Sequence, residues 1–126
     1  MPDFLSAEWM RDIEAAAPPL DPTVTFTLGQ VVLGAPDGNV HCLIHVAGGR
    51  LTVLVAPDGS TSDVTVRLPY EVAVALARGI TNVHDAILEG AIKVRGDLER
   101  LQQATTTLGA VAEAMAAVRE RTSYPD

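Results

Sequence analysis

The sequence predicts an α+β fold in which an antiparallel section of sheet packs against amphipathic helices. Between residues 23 and 68, four runs of alternating apolar and polar residues are separated by turns rich in proline and glycine. From residue 98 to 118, apolar residues instead recur at steps of three and four, the period of a helix. The short connections between the first three strands indicate antiparallel hairpins.

Length and composition narrow the classes of protein to consider. We expect one domain over residues 1–126, with a core of small aliphatic side chains, because 48% of residues are hydrophobic and only 4% aromatic. Such an interior is compatible with a cavity and equally with a solid core. A net charge of −7 argues against binding to nucleic acid and against stable membrane insertion or docking on anionic membranes. The sequence shows no local basic patch.

The cellular compartment is predicted from cysteine usage and from the first residues. Cys42 is the single cysteine, so no internal disulfide forms. The first residues lack the basic and then apolar regions of a secretory signal, and no apolar run approaches the roughly 20 residues of a membrane span. We therefore expect a cytoplasmic protein.

The first half of the chain begins with a helix and continues with strands. The helix is capped by Ser6, ends before Pro18 and carries Trp9 as a packing anchor. A strand follows over residues 23–34, with a bulge at Gly29 where the apolar set changes register. The next strands are predicted at residues 40–47, 50–56 and 63–68.

The second half alternates helices with one more strand. A helix after Pro69 carries an apolar stripe of Val72, Ala73, Leu76 and Ile80 and ends near Gly79. A shorter helix begins at Asn82 and ends before Gly90, and Asp97 caps the last helical segment. Between them, a strand directs Ile92 and Val94 to one face and Lys93 and Arg95 to the other.

The C-terminal segment is predicted to be an amphipathic helix with a weak middle. Its apolar stripe consists of Leu98, Leu101, Thr105, Leu108, Ala112 and Met115, flanked by Val111 and Val118. Three consecutive threonines from Thr105 and then Gly109 favour a bend or a break between two helices.

The residues that most often carry chemistry form no catalytic or metal constellation. His41 and His45 lie about 13 Å apart on a strand, too far for one metal ion. Cys42 falls on the opposite face and is interpreted as a buried apolar residue. His84 and Asp85 point about 100° apart on a helix. We therefore predict no catalytic residue, metal or cofactor and no enzymatic activity, with a small enzyme based on these histidines as the weaker alternative.

The residues from Leu88 to Leu98 form the pattern Leu-x-Gly-x-Ile-Lys-Val-x-Gly-Asp-Leu, preceded by a helix and by the strand Asp63–Leu68. This order of elements resembles the sterol carrier protein type two family over roughly residues 24–108. The resemblance implies a mixed, largely antiparallel five-stranded sheet, covered on one face by helices, with an apolar tunnel. Such domains bind sterols, fatty acids, fatty acyl-CoA or phospholipids and carry out no chemistry.

The resemblance also implies which residues line the tunnel. Carried over by position, they are Phe26, Leu28, Leu76, Ile80, Ile92, Val94, Leu98, Leu101, Leu108 and Met115. The predicted function is non-enzymatic carriage of a hydrophobic small molecule, with a partner enzyme as a destination for the cargo. The alternative is an interaction or homodimerisation module with a filled core, docking through the alanine-rich run Ala110–Ala117. Chain composition alone does not separate a tunnel from a solid core.

Overall fold

The computed structural model describes residues 3–36, 38–56 and 60–124, with the side chains of residues 83 and 84 excepted. The helices are α1 (Ala7–Ala16), α2 (Tyr70–Ala77), α3 (Val83–Leu88), α4 (Leu98–Gln103) and α5 (Thr105–Val118), followed by a 3₁₀ turn (Arg119–Arg121). The strands are β1 (Phe26–Ala35), β2 (Gly38–Ala47), β3 (Arg50–Val55), β4 (Val64–Pro69) and β5 (Lys93–Gly96).

The five strands form one sheet in the order β3-β2-β1-β4-β5. β1 pairs parallel with β4, and every other neighbouring pair is antiparallel. The predicted α+β fold with a mixed, largely antiparallel five-stranded sheet is confirmed. The parallel pair forces the chain to cross the sheet between β3 and β4, since these strands lie on opposite sides of β2 and β1.

The sheet has one face covered by helices and one open face. α1 packs on β3 and α5, while α2 packs on β1 and β4. Side chains on the covered face are mostly aliphatic, and the most deeply buried of them include Phe26, Val32, Val46 and Val64. Residues between them in the strands, such as Lys93 on β5, point to the open face. We call these surfaces the covered face and the open face.

The predicted bulge at Gly29 is wrong. The β1–β2 register runs without a break from Phe26 opposite Val46 to Val32 opposite Val40, and the irregularity follows Val32. Glycine instead allows Ser62 to pack closely against β1 at this position, because a Cβ atom on residue 29 would lie 2.7 Å from Ser62 Oγ. Ser62 precedes β4, so this part of the β3–β4 connection lies over the open face of the sheet.

Three predicted helix caps are confirmed by hydrogen bonds from the amide three residues further on. They are accepted by the side chains of Ser6 (3.2 Å), Asn82 (2.9 Å) and Asp97 (3.1 Å). Trp9 is buried as predicted, and its ring meets Phe4 edge-on with the centroids 4.9 Å apart. Local hydrogen bonding therefore places the start of α1, α3 and α4.

The C-terminal segment is divided into two helices, as the three threonines and Gly109 predicted, but its buried residues differ from the predicted apolar stripe. The helix stops at Ala104, which separates α4 from α5. The buried residues are Ala104, Thr107, Val111, Ala114 and Val118. Leu98, Thr105 and Ala112 are exposed, so their prediction as members of the core stripe is wrong. The break resets the helical phase, and the small Ala114 lets α5 approach α1 closely.

The apolar stripe predicted for α2 does not extend to Ile80. α2 ends at Ala77, and Gly79 then adopts a φ of +76°. Ile80 therefore follows the helix end instead of extending its apolar face, and its side chain is 69% exposed.

The outer edge of β3 is bonded to side chains of α1. The guanidinium of Arg11 donates to the carbonyl of Val53, and the Val53 amide donates to Glu14 Oε2 at 2.7 Å. Arg11 and Glu14 also pair with each other at 3.2 Å. Both backbone groups that Val53 directs away from the sheet thus have partners.

Candidate functional site

The covered face carries two buried clusters with a half-buried region between them. The larger cluster lies beneath α1, α2 and α5, while the smaller consists of Phe26, Val64 and Ala104. Leu28 and Val94 pack against both clusters and remain only partly buried. Among the other partly buried residues, Leu76 and Met115 pack against the larger cluster, and Leu101 and Leu108 pack against the smaller one. We call these four predicted lining residues, together with Leu28 and Val94, the junction. Apolar burial is incomplete there.

The predicted lining residues fall into three groups. Six of them are the junction residues defined above. Phe26 belongs to the smaller cluster and Ile92 to the larger one, and both are buried. Ile80 and Leu98, at 69% and 56% exposed, lie at the surface. Eight of the ten residues therefore lie in or against the two buried clusters, and two lie at the surface.

One side of the junction is covered by α4, which is held mainly by polar contacts. The helix contains no fully buried residue, and its Leu101 packs half-buried against the smaller cluster. Arg100 Nε lies 3.3 Å from Asp63 Oδ1, and the Arg100 guanidinium also donates to the carbonyl of Thr25. These contacts position α4 over the start of β1 and β4.

Asp63 organises the corner where β1, β4 and β5 meet. Its Oδ2 accepts the Thr27 amide at 2.8 Å, and its own amide donates to the Thr27 carbonyl at 2.9 Å. Gly96 passes so close that a Cβ atom there would lie 2.9 Å from Val64 Cα, and its φ is +122°. Only glycine fits that position without strain.

A cavity of about 270 Å³ adjoins the smaller cluster. It is lined by Thr23, Val24, Thr25, Phe26, Arg100, Gln103 and Ala104. Small-molecule sites span roughly 300–1,000 Å³, so this space is small for a lipid. A larger groove of about 660 Å³ lies between α1 and the β2–β3 hairpin and includes none of the predicted lining residues.

Gln30 is a candidate site residue that the sequence analysis missed. Because β1 has no bulge at Gly29, Gln30 lies on the covered face, opposite Cys42 on β2 and Val66 on β4. It is half-buried, and Leu28 and Val32 precede and follow it on the same face of β1. Unbroken alternation from Phe26 was the signal that would have found it. A single amide in an apolar surround is a typical orienting group in ligand pockets.

The histidines and the cysteine occupy the faces that the sequence predicted. His41 and His45 lie on the open face, where His45 Nδ1 is 2.8 Å from Thr27 Oγ1, and Cys42 lies on the covered face. Among the described residues, no group of three His, Cys, Asp or Glu side chains is arranged to hold a metal ion. The side chain of His84 lies outside the described set.

Cys42 gives the stability of the fold a predicted pH dependence. Burial raises the pKa of its thiol from 9.0 to about 11, because the thiolate would be poorly solvated. The unfolded chain loses this proton first, so the free energy of unfolding is expected to fall by about 2–3 kcal/mol as pH rises from 9 to 11. Urea unfolding across this range measures the fall. The Cys42→Ala variant should lack this component, and an identical pH profile in both proteins would contradict the assignment.

A protein-family model and several solved structures match this chain. The SCP-2 sterol transfer family model matches residues 11–109. A protein of Thermus thermophilus described as possibly a sterol carrier protein is 13% identical, with a TM-score of 0.65, and the match covers 100% of this chain and 94% of that one. Palmitated SCP2L2 of Aedes aegypti is 21% identical, with a TM-score of 0.58, covering 88% and 95%.

A third solved structure places a similar fold inside an enzyme. The sec-alkylsulfatase PisA1 of a Pseudomonas species, as a double mutant, is 25% identical with a TM-score of 0.57. The match covers 79% of this chain and 16% of the sulfatase. A comparison with curated sequences finds no match. Within the described residues, no helix has the length and apolarity needed to cross a bilayer.

Proposed function

Because the chain belongs to the SCP-2 sterol transfer family, we propose that it binds and carries a hydrophobic small molecule at the junction. The observation that supports this most directly is the incomplete burial of six apolar side chains packed against the two clusters, of which Leu28 and Val94 contact both. An apolar guest seated there removes their surface, and its own, from water. Candidate guests are a sterol, a fatty acid or a fatty acyl-CoA.

The energetics of such a guest are favourable without a charged contact. Burying a methylene group is worth about 0.8 kcal/mol, and micromolar affinity requires about 8 kcal/mol. A long acyl chain therefore supplies enough apolar surface, even after part of the gain is lost to ordering the chain. The palmitate named with the Aedes aegypti structure makes a fatty acid the first ligand to test.

Loading requires the junction to widen. The adjoining cavity of about 270 Å³ is small, and α4 is the element with least apolar attachment. The break at Ala104 allows α4 to move without displacing α5 from α1. We propose that α4 swings outward when cargo enters, with the Arg100–Asp63 pair restoring its position afterwards. Gln30 then supplies a hydrogen bond to the polar end of the guest.

We further propose that the chain itself catalyses no reaction and uses no cofactor. Cys42 is buried with a raised pKa, and His41 and His45 lie across the sheet from the junction. A carrier of this kind delivers its cargo to a partner enzyme. We propose the cytoplasm as its compartment, supported by a single buried thiol and by the absence of any disulfide in the 126 residues.

The test of the proposed function is direct detection of cargo. Native mass spectrometry of gently purified protein is expected to show a copurifying lipid, and a fluorescent fatty acid should bind saturably with micromolar affinity. Unlabelled palmitate should displace it. Protein that carries no lipid and gives no saturable signal would contradict the proposal.

A second candidate function is a protein-interaction or homodimerisation module. It is favoured by one observation, the exposure of Ala112, Ala116 and Ala117 on α5, since small residues let another helix approach closely. Light scattering coupled to size-exclusion chromatography distinguishes the two functions. A stable dimer with no bound lipid would support the module.

A further inference from the structure

β3 lies at the edge of the sheet, so one side of its backbone has no neighbouring strand. The Ala56 amide donates to the His41 carbonyl at 2.7 Å, which fixes the alternation of hydrogen bonds along the β2–β3 ladder. In that alternation, Leu51, Val53 and Val55 direct their amides and carbonyls away from β2. These residues therefore present hydrogen-bonding groups at the outer edge of the sheet.

The outward groups of Val53 and Leu51 differ in their partners. At Val53, the amide and the carbonyl are bonded to Glu14 and Arg11 of α1. At Leu51, two positions earlier, neither group has a partner in the described part of the chain. Backbone groups this close to the interior are nearly always paired, with protein or with water. Leu51 thus offers one donor and one acceptor to an added segment.

The groove of about 660 Å³ between α1 and the β2–β3 hairpin runs along this part of the edge. One wall includes Ala17, Pro18 and Pro19, and the other consists of residues 49–52. The two prolines have no amide hydrogen, so that wall adds no competing donor from them. An amide and a carbonyl of one edge residue, facing a groove, are the groups that an extended peptide pairs with when it adds a strand.

α1 limits how far an added segment can run along β3. Beyond Leu51, the next outward groups belong to Val53 and are occupied by Arg11 and Glu14. A segment paired with Leu51 therefore has to stop before Val53. A chain terminus meets this requirement directly.

Charge at the blocked end favours a carboxylate over an amino group. Both oxygens of Glu14 are already in contact, one with the Val53 amide and the other with Arg11 Nε at 3.2 Å. A guanidinium has five N–H donors, and within the described residues the contacts with Glu14 and Val53 leave three of those of Arg11 available. The Arg11 side chain is 59% exposed, against 21% for Glu14. Arg50, exposed beside the groove, adds a second positive charge.

We propose that this groove binds the C-terminal segment of a partner protein as a short added strand. With its carboxylate toward Arg11, the segment runs parallel to β3. Its last residue then donates its amide to the Leu51 carbonyl, and the carbonyl of the third residue from its end accepts the Leu51 amide. Strand addition and capture of a C-terminal carboxylate are both known modes of peptide recognition. The groove contains no junction residue, so this site is separate from the cargo site.

Two other anionic ligands fit the groove less well. A free fatty acid supplies a carboxylate but has no amide to donate to the Leu51 carbonyl. An internal acidic stretch of a protein supplies amides and carboxylates, but its chain would have to continue past Val53, where α1 lies. A C-terminal segment supplies all three groups and ends where the groove is blocked.

The experiment uses the full chain, immobilised, and a pool of hexapeptides whose last three positions are randomised. The pool is made once with a free C-terminal carboxylate and once with a C-terminal amide, and mass spectrometry identifies the retained peptides. The free-acid pool is expected to give a retained subset. Its best member should lose about ten- to hundredfold in affinity on amidation, because a charge-assisted contact is removed. Equal retention of the two pools, or retention of neither, would overturn the proposal.

Methylation of single amides in the best peptide tests the pairing with Leu51. A methyl group on the last amide should weaken binding by about tenfold or more, because that amide donates to the Leu51 carbonyl. The preceding amide points away from β3, and its methylation should have little effect. Equal effects at the two positions would contradict the added strand. Displacement of the peptide by palmitate would assign the groove to a fatty acid instead.

Variants of the protein locate the bound carboxylate. Arg11→Gln is expected to remove the preference for the free acid over the amide, and Arg50→Gln to weaken binding of the free acid by a few-fold. Arg121→Gln changes an exposed cation outside the groove and should bind normally. An unchanged preference in the Arg11 variant would overturn the proposal. If that variant does not fold, the two peptide comparisons on the original protein decide the outcome.

Discussion

Replacing Leu101 with arginine is expected to weaken fatty-acid uptake more than a hundredfold while leaving the protein folded. Leu101 packs half-buried against the cluster of Phe26, Val64 and Ala104. In the empty protein the longer side chain reaches water from the surface of α4. A bound acyl chain would trap the guanidinium against apolar groups, at a cost of at least about 3 kcal/mol. Fluorescence titration measures the uptake, and far-UV circular dichroism checks folding.

The same helix offers a matched control. Leu98→Arg introduces the same charge three residues earlier, at a side chain that is 56% exposed. Uptake by this variant is expected to remain within a few-fold of the original. Normal uptake by the Leu101 variant would remove the junction as the cargo site, and equal losses in both would indicate a general effect of positive charge on α4.

Gly96→Ala is expected to destabilise the fold by about 2–6 kcal/mol. The residue adopts a φ of +122°, which costs a side chain about 1–3 kcal/mol. The added methyl group would also press on the backbone of Asp63 and Val64, and overpacking costs a further 1–3 kcal/mol or so. Urea denaturation measures the free energy of unfolding. The corner between β4 and β5 would have to open to relieve the clash.

Gly90→Ala separates backbone strain from the clash. Gly90 has a left-handed φ of +76°, but no atom lies within 4 Å of the position that a Cβ would occupy. Its replacement is expected to cost only about 1–2 kcal/mol. If the two variants lost the same stability, close approach at Gly96 would not be the cause.

The elements predicted correctly are those determined by neighbouring residues. Helix caps such as Ser6 and Asp97 depend on an amide three residues away, and glycine at position 90 ends α3 where it was expected. The alternation that defines the strands is equally local. These signals were sufficient for the α+β fold, since each apolar face has to be covered.

The wrong predictions depend on contacts between distant parts of the chain. A bulge was predicted at Gly29 because the apolar pattern changes there. The glycine is instead needed because Ser62, more than 30 positions away in the sequence, approaches it on the open face. No local basic patch was predicted, because Arg67 on β4 lies opposite Lys93 on β5 only through strand pairing. The buried stripe of α5 was misplaced because the break at Ala104 changes the helical phase.

The candidate site was predicted only in outline. Eight of the ten residues that the family pattern predicts as lining lie in or against the buried clusters, but the exposure of Ile80 and Leu98 depends on where α2 ends and α4 begins. Gln30 was missed through the supposed bulge at Gly29. How far α4 stands from the sheet is a property of packing, which periodicity in the sequence does not encode.

The bonding of α1 to the rim of β3 has a consequence for solubility. A carrier that releases its ligand exposes apolar surface. If the edge strand were also unpaired, a peptide or a second copy of the chain could add a strand to the sheet and start an aggregate. Here an incoming strand would first have to displace Arg11 and Glu14 from Val53. At the opposite rim, the brevity of β5 and its two cations deter the same addition.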